Sequence, residues 1–324
     1  MMNASQMRLD ERVTVYKTRE EWLEGRRVGI GSSDTAAVLG VSKWKSAYQL
    51  WAEKAGLVPH DNEDSPILEW GRIVEEPIAK KYAQVTGRKV VRFGDFNTRT
   101  HPTLPFMFSS HDAVIESAPG KDGPGILSIK APGIFTADEW MVDPEHDIAE
   151  APLAYEVQMQ QELATSGFRW GSFALLIWGK DLVWFDRNRH DMLVGEIESG
   201  CAAFWERVQT LDAPPIDSSK HTEQALKGRY RSIQGAETLL DDARLLDDLI
   251  AAELAEASAK TAKQLAKNRL IETMGEASLM KVPGRPDYFT MREVAEAEIP
   301  PKPASIRDAY KTFRHWPGKG AKRK

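Results

Sequence analysis

Four polar residues lie where predicted strands and helices would bring them together. Asp112 opens a strand-like run, Lys130 ends the next run, Glu75 lies in a helical pattern upstream and Gln158 in one downstream. A carboxylate is a hard oxygen ligand that suits a divalent cation. A neighbouring lysine can orient or deprotonate a water and offset phosphate charge, so the set suits metal-assisted phosphodiester hydrolysis. An aspartate and a lysine on adjacent strands are also common in purely structural roles.

The surrounding pattern predicts an α/β fold with a mixed central sheet flanked by helices. In the longest helix of the first part, apolar residues repeat with a period near 3.6. Strand-like runs cover 89–93, 106–110, 112–116, 125–130, 172–178 and 182–186, and helical patterns cover 18–25, 46–56, 65–87, 151–166 and 191–210.

Composition excludes several classes of protein. The 324 residues carry 43 Lys+Arg and 48 Asp+Glu, a net charge of -5, which excludes a uniformly basic coat for nucleic acid but not a local basic groove. No apolar run is long enough to cross a membrane, and the first residues lack the apolar segment of a secretory signal. One cysteine, Cys201, excludes an internal disulfide and a CxxC metal site. We therefore expect a cytoplasmic protein.

A change in composition near 212–220 divides the chain into a predicted core, 1–212, and a C-terminal extension, 213–324. The extension is expected to hold a long helix over about 236–274, acidic in its first half and basic in its second, which suits the helix dipole. Two strand-like runs around PGRPD (283–287) predict a β-hairpin. Four apolar residues could form a seam against a partner or the core: Leu239, Leu246, Ile250 and Leu254.

A series of motifs resembles the YqaJ-like viral recombinase family, relatives of lambda exonuclease within the PD-(D/E)xK nucleases. The resemblance covers roughly residues 22–210 and implies a restriction-endonuclease-like core. Each motif alone is weak, but five in unbroken order are a strong signal. In order they are GIGSSDTAAVLG (29–40) with SAYQLWAEKAG (46–56), WGRIVEEP (70–77), SSHDAVI (109–115), GILSIKAP (125–132) and YEVQMQQEL (155–163).

The resemblance implies a role for each matching residue. Asp112 matches the central metal-binding aspartate, and Lys130 matches the catalytic lysine of the following strand. Glu75 matches a helical glutamate that helps to hold a second metal. Tyr155 and Gln158 match the tyrosine and glutamine of the next helix.

One position departs from the family pattern in a way that bears on activity. Ser128 stands where the family has the glutamate of its ExK strand, and a hydroxyl replaces a metal-binding carboxylate poorly. The backbone carbonyl of Ile129 would still be a metal ligand. Three interpretations stay open: an engineered inactive variant, a natural enzyme whose carboxylate has moved to Glu156 or Glu162, and a natural protein that only binds DNA. His111 takes the place of a family proline and is expected to fill a turn position.

A segment near the start of the chain predicts a site for a terminal 5′-phosphate. Arg26 or Arg27, together with Ser32 and Ser33, matches the arginine and serine that hold this phosphate in the family. Backbone N–H groups and a hydroxyl at a helix start also form an anion site in general, and arginine binds phosphate through two hydrogen bonds. Trp44, between two lysines in a loop, is the aromatic residue best placed to stack on an unpaired base.

The resemblance implies an exodeoxyribonuclease with two Mg²⁺ ions per active site, or Mn²⁺ in their place. Such an enzyme would resect linear double-stranded DNA 5′ to 3′ and pass the single strand to a single-strand annealing protein. It would act in a bacterial host cell as a phage or prophage product, as a homo-oligomer like the trimeric relatives. Two alternatives stay open: a non-catalytic DNA-end-binding protein, and an interaction module that works through its C-terminal helix.

Overall fold

Short strands and longer helices alternate along the chain, largely as the sequence pattern predicts. The computed structural model describes residues 11–60, 66–133, 136–143, 148–177, 179, 181–230, 233–234, 236–285 and 287–291. The strands are β1 (Val13–Val15), β2 (Ile30–Gly31), β3 (Lys89–Arg92), β4 (Asn97–Thr100), β5 (Met107–Ser109), β6 (Ala113–Ser117), β7 (Gly125–Lys130), β8 (Met141–Asp143), β9 (Ile148–Glu150), β10 (Trp170–Ile177), β11 (Asp181–Asn188), β12 (Leu279–Lys281) and β13 (Tyr288–Thr290). The helices are α1 (Arg19–Arg27), α2 (Thr35–Val38), α3 (Ala47–Lys54), α4 (Pro66–Thr86), α5 (Leu153–Ser166), α6 (Asp191–Thr210), α7 (Lys220–Arg229) and α8 (Ala243–Met274), with a 3₁₀ turn at Ala137–Glu139.

The first of two structural units, residues 1–231, is built on a five-stranded sheet in the order β11-β10-β7-β6-β3. β7 and β10 run parallel, whereas the other neighbouring pairs are antiparallel. These two strands are almost continuously apolar because a parallel pair in the middle of a sheet is covered on both faces. The predicted α/β class, with a mixed central sheet flanked by helices, is confirmed.

A second sheet of four short strands has the order β1-β4-β5-β2. The sequence predicted the strand at 106–110 but not that it belongs to a separate sheet. β5 pairs with β4 and with β2, and β2 is only two residues long. A strand of that length shows no alternation of apolar and polar residues, which is why the sequence did not reveal it.

Alternation along β7 decides which residues face which helix. Leu127 and Ile129 belong to the core formed with α4, whereas Ile126 belongs to the core formed with α5. Successive strand residues point to opposite faces of a sheet. Ser128 and Lys130 therefore share the α5 side with Ile126, and the chemistry expected of this strand is directed towards α5.

Hydroxyl caps set the starts of two helices. The Thr18 Oγ1 accepts a hydrogen bond of 3.2 Å from the N–H of Glu21, and the Glu21 carboxylate accepts one of 2.9 Å from the N–H of Lys17. This arrangement is close to a capping box, at the start of the helix predicted over 18–25. Ser46 caps α3 with its side chain in the same way. The caps fix where both helices begin.

The second unit, residues 232–324, contains α8 and the hairpin of β12 and β13. The hairpin agrees with the sequence pattern, but α8 begins at Ala243, so Leu239 lies outside the helix. Residues 213–231, which the composition assigned to the extension, belong to the first unit. The reason is packing, since Ala225 of α7 is buried in a core with Trp51 and Phe204. In the described part of the chain, no helix combines the length and the apolar character needed to span a membrane.

Candidate active site

Asp112 and Lys130 meet at one end of the central sheet. Asp112 directly precedes β6, and its Oδ2 accepts a hydrogen bond of 2.7 Å from the N–H of Ile129 in β7. The Lys130 Nζ lies 3.7 Å from the same oxygen. The N–H and C=O of one strand residue point to the same neighbouring strand, so the carbonyl of Ile129 also points towards Asp112. The structure therefore brings these three predicted residues together.

Lys130 is held in its charged form. Burial lowers the pKa of an ammonium group, but the nearby negative charges, led by Asp112 and Glu162, outweigh burial and raise the pKa of Lys130. An ammonium group cannot take a proton from water. The geometry therefore favours Lys130 as a cation that orients water and neutralises phosphate, rather than as a base.

Glu162 reaches this site from α5. Its Oε1 accepts hydrogen bonds of 2.9 Å from the Gln158 Nε2 and 3.2 Å from the Ser32 Oγ. Burial raises the pKa of Glu162 to about 7, against the opposing charge of Lys130. Tyr155, Gln158 and Glu162 share one helix face because they are spaced by three and four residues. Ser32, predicted to contact DNA, therefore supports this carboxylate instead.

Glu156, the other candidate for a displaced carboxylate, faces elsewhere. It accepts a hydrogen bond of 2.9 Å from the Arg187 Nε in β11 and one of 3.2 Å from Gln160. Ser128 is buried on the α5 side of β7. Of the two candidates for the missing carboxylate, only Glu162 is directed to Asp112 and Lys130.

Glu75 lies at the margin of the site on α4. Its carboxylate forms an ion pair of 2.8 Å with Arg92 of β3. Burial and the negative charge of Asp112 raise the pKa of Glu75, and Arg92 opposes this rise. The predicted residue is thus close enough for the charge of Asp112 to raise its pKa, while its Oε2 accepts a hydrogen bond from Arg92.

Aromatic rings line one side of the site. The Tyr155 ring stacks on Trp140 at a centroid distance of 5.0 Å and lies 5.7 Å from the Lys130 Nζ. The Trp44 ring lies 5.7 Å from Tyr155 and is 49% exposed. The Ser42 Oγ accepts a hydrogen bond from the N–H of Trp44 and so helps to shape this loop. A large exposed ring therefore stands beside the predicted catalytic tyrosine.

Arg26 and Ser33 form the basic corner predicted to bind a 5′-phosphate. The Arg26 Nη2 donates a hydrogen bond of 2.7 Å to the Ser33 Oγ, and its guanidinium lies 4.7 Å from the centre of the Trp22 ring. Arg27 instead pairs with Glu24 at 2.9 Å, and both side chains are well exposed. The structure therefore brings Arg26 to Ser33 and leaves Arg27 outside this corner.

A buried ion pair supports the same corner. The Lys54 Nζ lies 2.9 Å from the Asp34 Oδ2 and donates a hydrogen bond of 2.7 Å to the carbonyl of Arg26. Burial opposes ionisation of Asp34, but positive charge led by Lys54 outweighs it and holds the pKa of Asp34 well below its usual value. Asp34 also accepts the N–H of Gly31, and α2 has only four residues. The expected anion site therefore depends on the side chains of Arg26 and Ser33 rather than on a helix start.

His111 fills space next to Asp112. The ring is buried against Phe93 at a centroid distance of 4.9 Å, and neither ring nitrogen has a hydrogen-bond partner within the described chain. Burial, with the positive charge of Arg99, lowers the pKa of His111 to about 3. His111 is therefore neutral, which agrees with the expected turn-filling role.

The oxygen atoms at the site fit a hydrated magnesium ion. Asp112 and Glu162 offer carboxylates and Ile129 a carbonyl. Mg²⁺ usually takes one or two carboxylates and completes its octahedron with water and substrate phosphate. The described residues contain no cluster of three or more His, Cys, Asp or Glu side chains that could hold a metal alone.

Comparison with known proteins shows what this part of the chain is similar to. Residues 21–169 match the family model described as the YqaJ-like viral recombinase domain. The matched segment includes the site residues from Arg26 to Glu162, so the resemblance predicted from the motifs is confirmed.

Individual proteins similar to this chain come from several bacteria. The uncharacterized protein YqaJ of Bacillus subtilis (strain 168) is 34% identical over 216 residues, which are 66% of this chain and 64% of that protein. The chain thus spans less than two thirds of that relative. An alkaline exonuclease from Laribacter hongkongensis is 24% identical, with 59% of this chain and 93% of that chain covered and a TM-score of 0.48. A phage related exonuclease from Haemophilus somnus 129PT is 14% identical, with 57% and 95% covered and a TM-score of 0.44.

Proposed function

We propose that this chain is a metal-dependent exodeoxyribonuclease that resects linear double-stranded DNA 5′ to 3′ in phage-type recombination. The observation that carries the proposal is the meeting of Asp112, Lys130 and Glu162 at one end of the central sheet. Two carboxylates around a protonated lysine suit hydrolysis of a phosphodiester. The match to the viral recombinase domain supports the biological setting.

The proposed cofactors are two Mg²⁺ ions, or Mn²⁺ in their place. Asp112, Glu162 and the carbonyl of Ile129 would hold one ion, and Glu75 would contribute to the second. When bound, the ions would supply the positive charge that activates water and stabilises the departing 3′ oxygen.

The remaining side chains position the reacting groups. The Lys130 ammonium would hold the attacking water and a phosphate oxygen of the scissile bond. Gln158 donates to Glu162 through its amide nitrogen, which fixes that carboxylate and leaves the amide oxygen to accept a hydrogen bond from the water. Tyr155 packs beside the ammonium and limits its movement.

The proposed polarity depends on the basic corner at Arg26 and Ser33. A terminal 5′-phosphate bound there would receive charge-assisted hydrogen bonds, which are stronger than neutral ones. The exposed ring of Trp44 would stack on a base of the strand that enters the site. An end bound in this way would present its 5′ strand for cutting.

Three further parts of the proposal concern partners and location. The single-stranded product would pass to a single-strand annealing protein. The nuclease unit would assemble as a homo-oligomer, with a trimeric ring as the expected form. The protein would act in the cytoplasm of a bacterial host, as the product of a phage or prophage.

Ser128 favours a second candidate function, a DNA-end-binding protein without catalysis. The residue removes the carboxylate that the family motif places on β7. If Glu162 does not replace that carboxylate, the basic corner and Trp44 would still bind DNA ends. An engineered inactive enzyme would behave in the same way until Ser128 is changed.

A cleavage assay separates these candidates. The substrate is 5′-phosphorylated linear duplex DNA with Mg²⁺, labelled at the 5′ or the 3′ end. We expect this chain to release the 5′ label first, and Asp112→Asn to abolish cutting. If only Ser128→Glu cuts, the chain is a nuclease held inactive at one position. If neither cuts while both bind DNA ends, the enzyme proposal fails and the binding protein is supported.

A further inference from the structure

The C-terminal helix α8 exposes an apolar stripe along its length. Met274 is the one side chain of this 32-residue helix that is buried. Long helices in proteins owe most of their stability to packing of an apolar face, and the described residues of the second unit leave that face of α8 uncovered. The stripe consists of Leu246, Leu249, Ile250, Leu254, Ala257, Leu265 and Ile271, whose leucines and isoleucines are 36% to 56% exposed. At about 100° per residue, these side chains fall within an arc of roughly 160° around the helix axis.

The order of charges along α8 points to one kind of partner. Between Asp247 and Arg269 the acidic residues of α8 precede its basic residues, with the change of sign near Ser258; Arg244 and Glu272 reverse the order at the two ends. A second α8 in the parallel direction would set acid against acid and base against base. A second α8 in the antiparallel direction would set acid against base along its whole length, which is the arrangement that flanking charges select in helix pairs.

The positions agree in detail with a two-fold axis near residue 258. Asp247 and Arg269 lie at equal distances from Ser258, as do Glu253 and Lys263. Leu246 and Ile271 lie almost equally far from it, so the apolar ends would also meet. The pair Glu256 and Lys260 is symmetric too, but it already forms an ion pair of 2.7 Å within one helix.

We propose that α8 pairs in the antiparallel direction with α8 of a second copy of this chain. The contact is isologous, because each helix offers the same stripe and the same charges to the other. Small residues at the crossing point, such as Ala257, permit a close approach of the two backbones. The pairing lies in the second unit and goes beyond the proposed nuclease function, on which it does not depend.

Cysteine cross-linking in the full chain tests the direction of pairing. Cys201 is buried and its pKa is raised to about 12, so the native thiol gives little background. Ala257→Cys near the axis is expected to form covalent dimers under mild oxidation. Ala259→Cys is the matched control, because it lies about 200° away around the helix and would face outward. Leu246→Cys alone should remain monomeric in gels, since two copies of residue 246 would lie roughly 37 Å apart.

Mixing and charge reversal complete the test. Leu246→Cys mixed with Ile271→Cys should give dimers although neither does so alone. Glu253→Lys with Glu256→Lys should halve the mass of the native assembly in sedimentation, and adding Lys260→Glu with Lys263→Glu should restore it. Self-cross-linking of both Ala257→Cys and Leu246→Cys would show a parallel pair and overturn the proposal. An assembly mass that charge reversal does not change would also overturn the proposal. The stripe would then bind residues 292–324 or another protein instead.

Discussion

Glu162 lies on the side of the sheet where the family pattern places the carboxylate that Ser128 lacks. The pattern places its carboxylate on β7, where Ser128 is small and buried, while Glu162 enters the same side of the sheet from α5. A carboxylate can serve a metal from either element, because the ion requires oxygen atoms at the right place and not a particular chain segment. Burial raises the pKa of Glu162 to about 7, and pKa values shifted this far by burial cluster at functional sites.

Replacing Glu162 tests whether this residue supplies the carboxylate that Ser128 lacks. Glu162→Gln should lower the single-turnover cleavage rate by more than about 100-fold, beyond the 10–100-fold typical of residues that only support a ligand. It should also weaken Mn²⁺ binding in calorimetry without DNA. Glu156→Gln is the control, because that residue faces Arg187 and should leave both measurements unchanged.

A second substitution moves the carboxylate back to β7. We expect Ser128→Glu in the Glu162→Gln background to recover a measurable part of the cleavage rate, since the restored group again lies on the side of Lys130. No recovery of cleavage, together with unchanged Mn²⁺ binding in Glu162→Gln alone, would show that Glu162 does not supply the ligand.

Arg26 and Arg27 should differ sharply although they are neighbours. Arg26 lies 2.7 Å from Ser33, whereas Arg27 pairs with Glu24. Hydrogen bonds to charged groups contribute about 1.5–3 kcal/mol, so Arg26→Ala should reduce the preference for 5′-phosphate over 5′-hydroxyl ends by about 10- to 150-fold. Arg27→Ala should leave the ratio of kcat/KM for the two substrates unchanged. Equal effects of both variants would argue against a site at Ser33.

At the level of elements, the sequence predicted the parts with strong local signals. The helices that begin near Thr18 and Ser46 and the apolar repeat of α4 were predicted because each depends on neighbours in the chain. The two-residue strand β2 and the separate sheet of β5 were missed because their pairing is set by distant residues. The sequence did not distinguish Glu162 from Glu156 for the same reason, because the answer depends on which face of α5 packs against β7.

The loop before α3 is the element that presents Trp44. Stacking of one base on an aromatic ring contributes about 1–3 kcal/mol, so Trp44→Ala should weaken binding of an overhanging strand by about 5- to 150-fold. Trp44→Phe should retain much of the affinity. Trp184→Ala provides a control, because that ring is 40% exposed on β11 but packs on Tyr82. Fluorescence anisotropy with Ca²⁺ in place of Mg²⁺ would measure binding apart from cutting.

For the molecule as a whole, the site depends on long-range connections that composition does not reveal. Gln161 of α5 donates to the carbonyls of Ile30 and Phe108, which ties the helix of Glu162 to the second sheet. Lys54 in turn ties α3 to α1 and to the loop of Asp34. The break at 212–220 was visible, but α7 joins the first unit through buried contacts that only the fold creates.

The buried pair of Asp34 and Lys54 should make global stability depend on acid pH. The folded pKa of Asp34 lies well below its unfolded value of 3.8, so the unfolded state binds the proton first. The stabilisation is therefore complete above about pH 4 and is lost as the pH falls further, at roughly 1.4 kcal/mol per pH unit. Asp34→Asn should cost about 3–5 kcal/mol at pH 7, because Lys54 is left buried without its partner. Urea unfolding at pH 7, 4 and 3 would measure the difference in the free energy of unfolding between the native chain and Asp34→Asn. This difference should become smaller only below pH 4. A difference that is the same at all three pH values would mean that Asp34 does not titrate on unfolding.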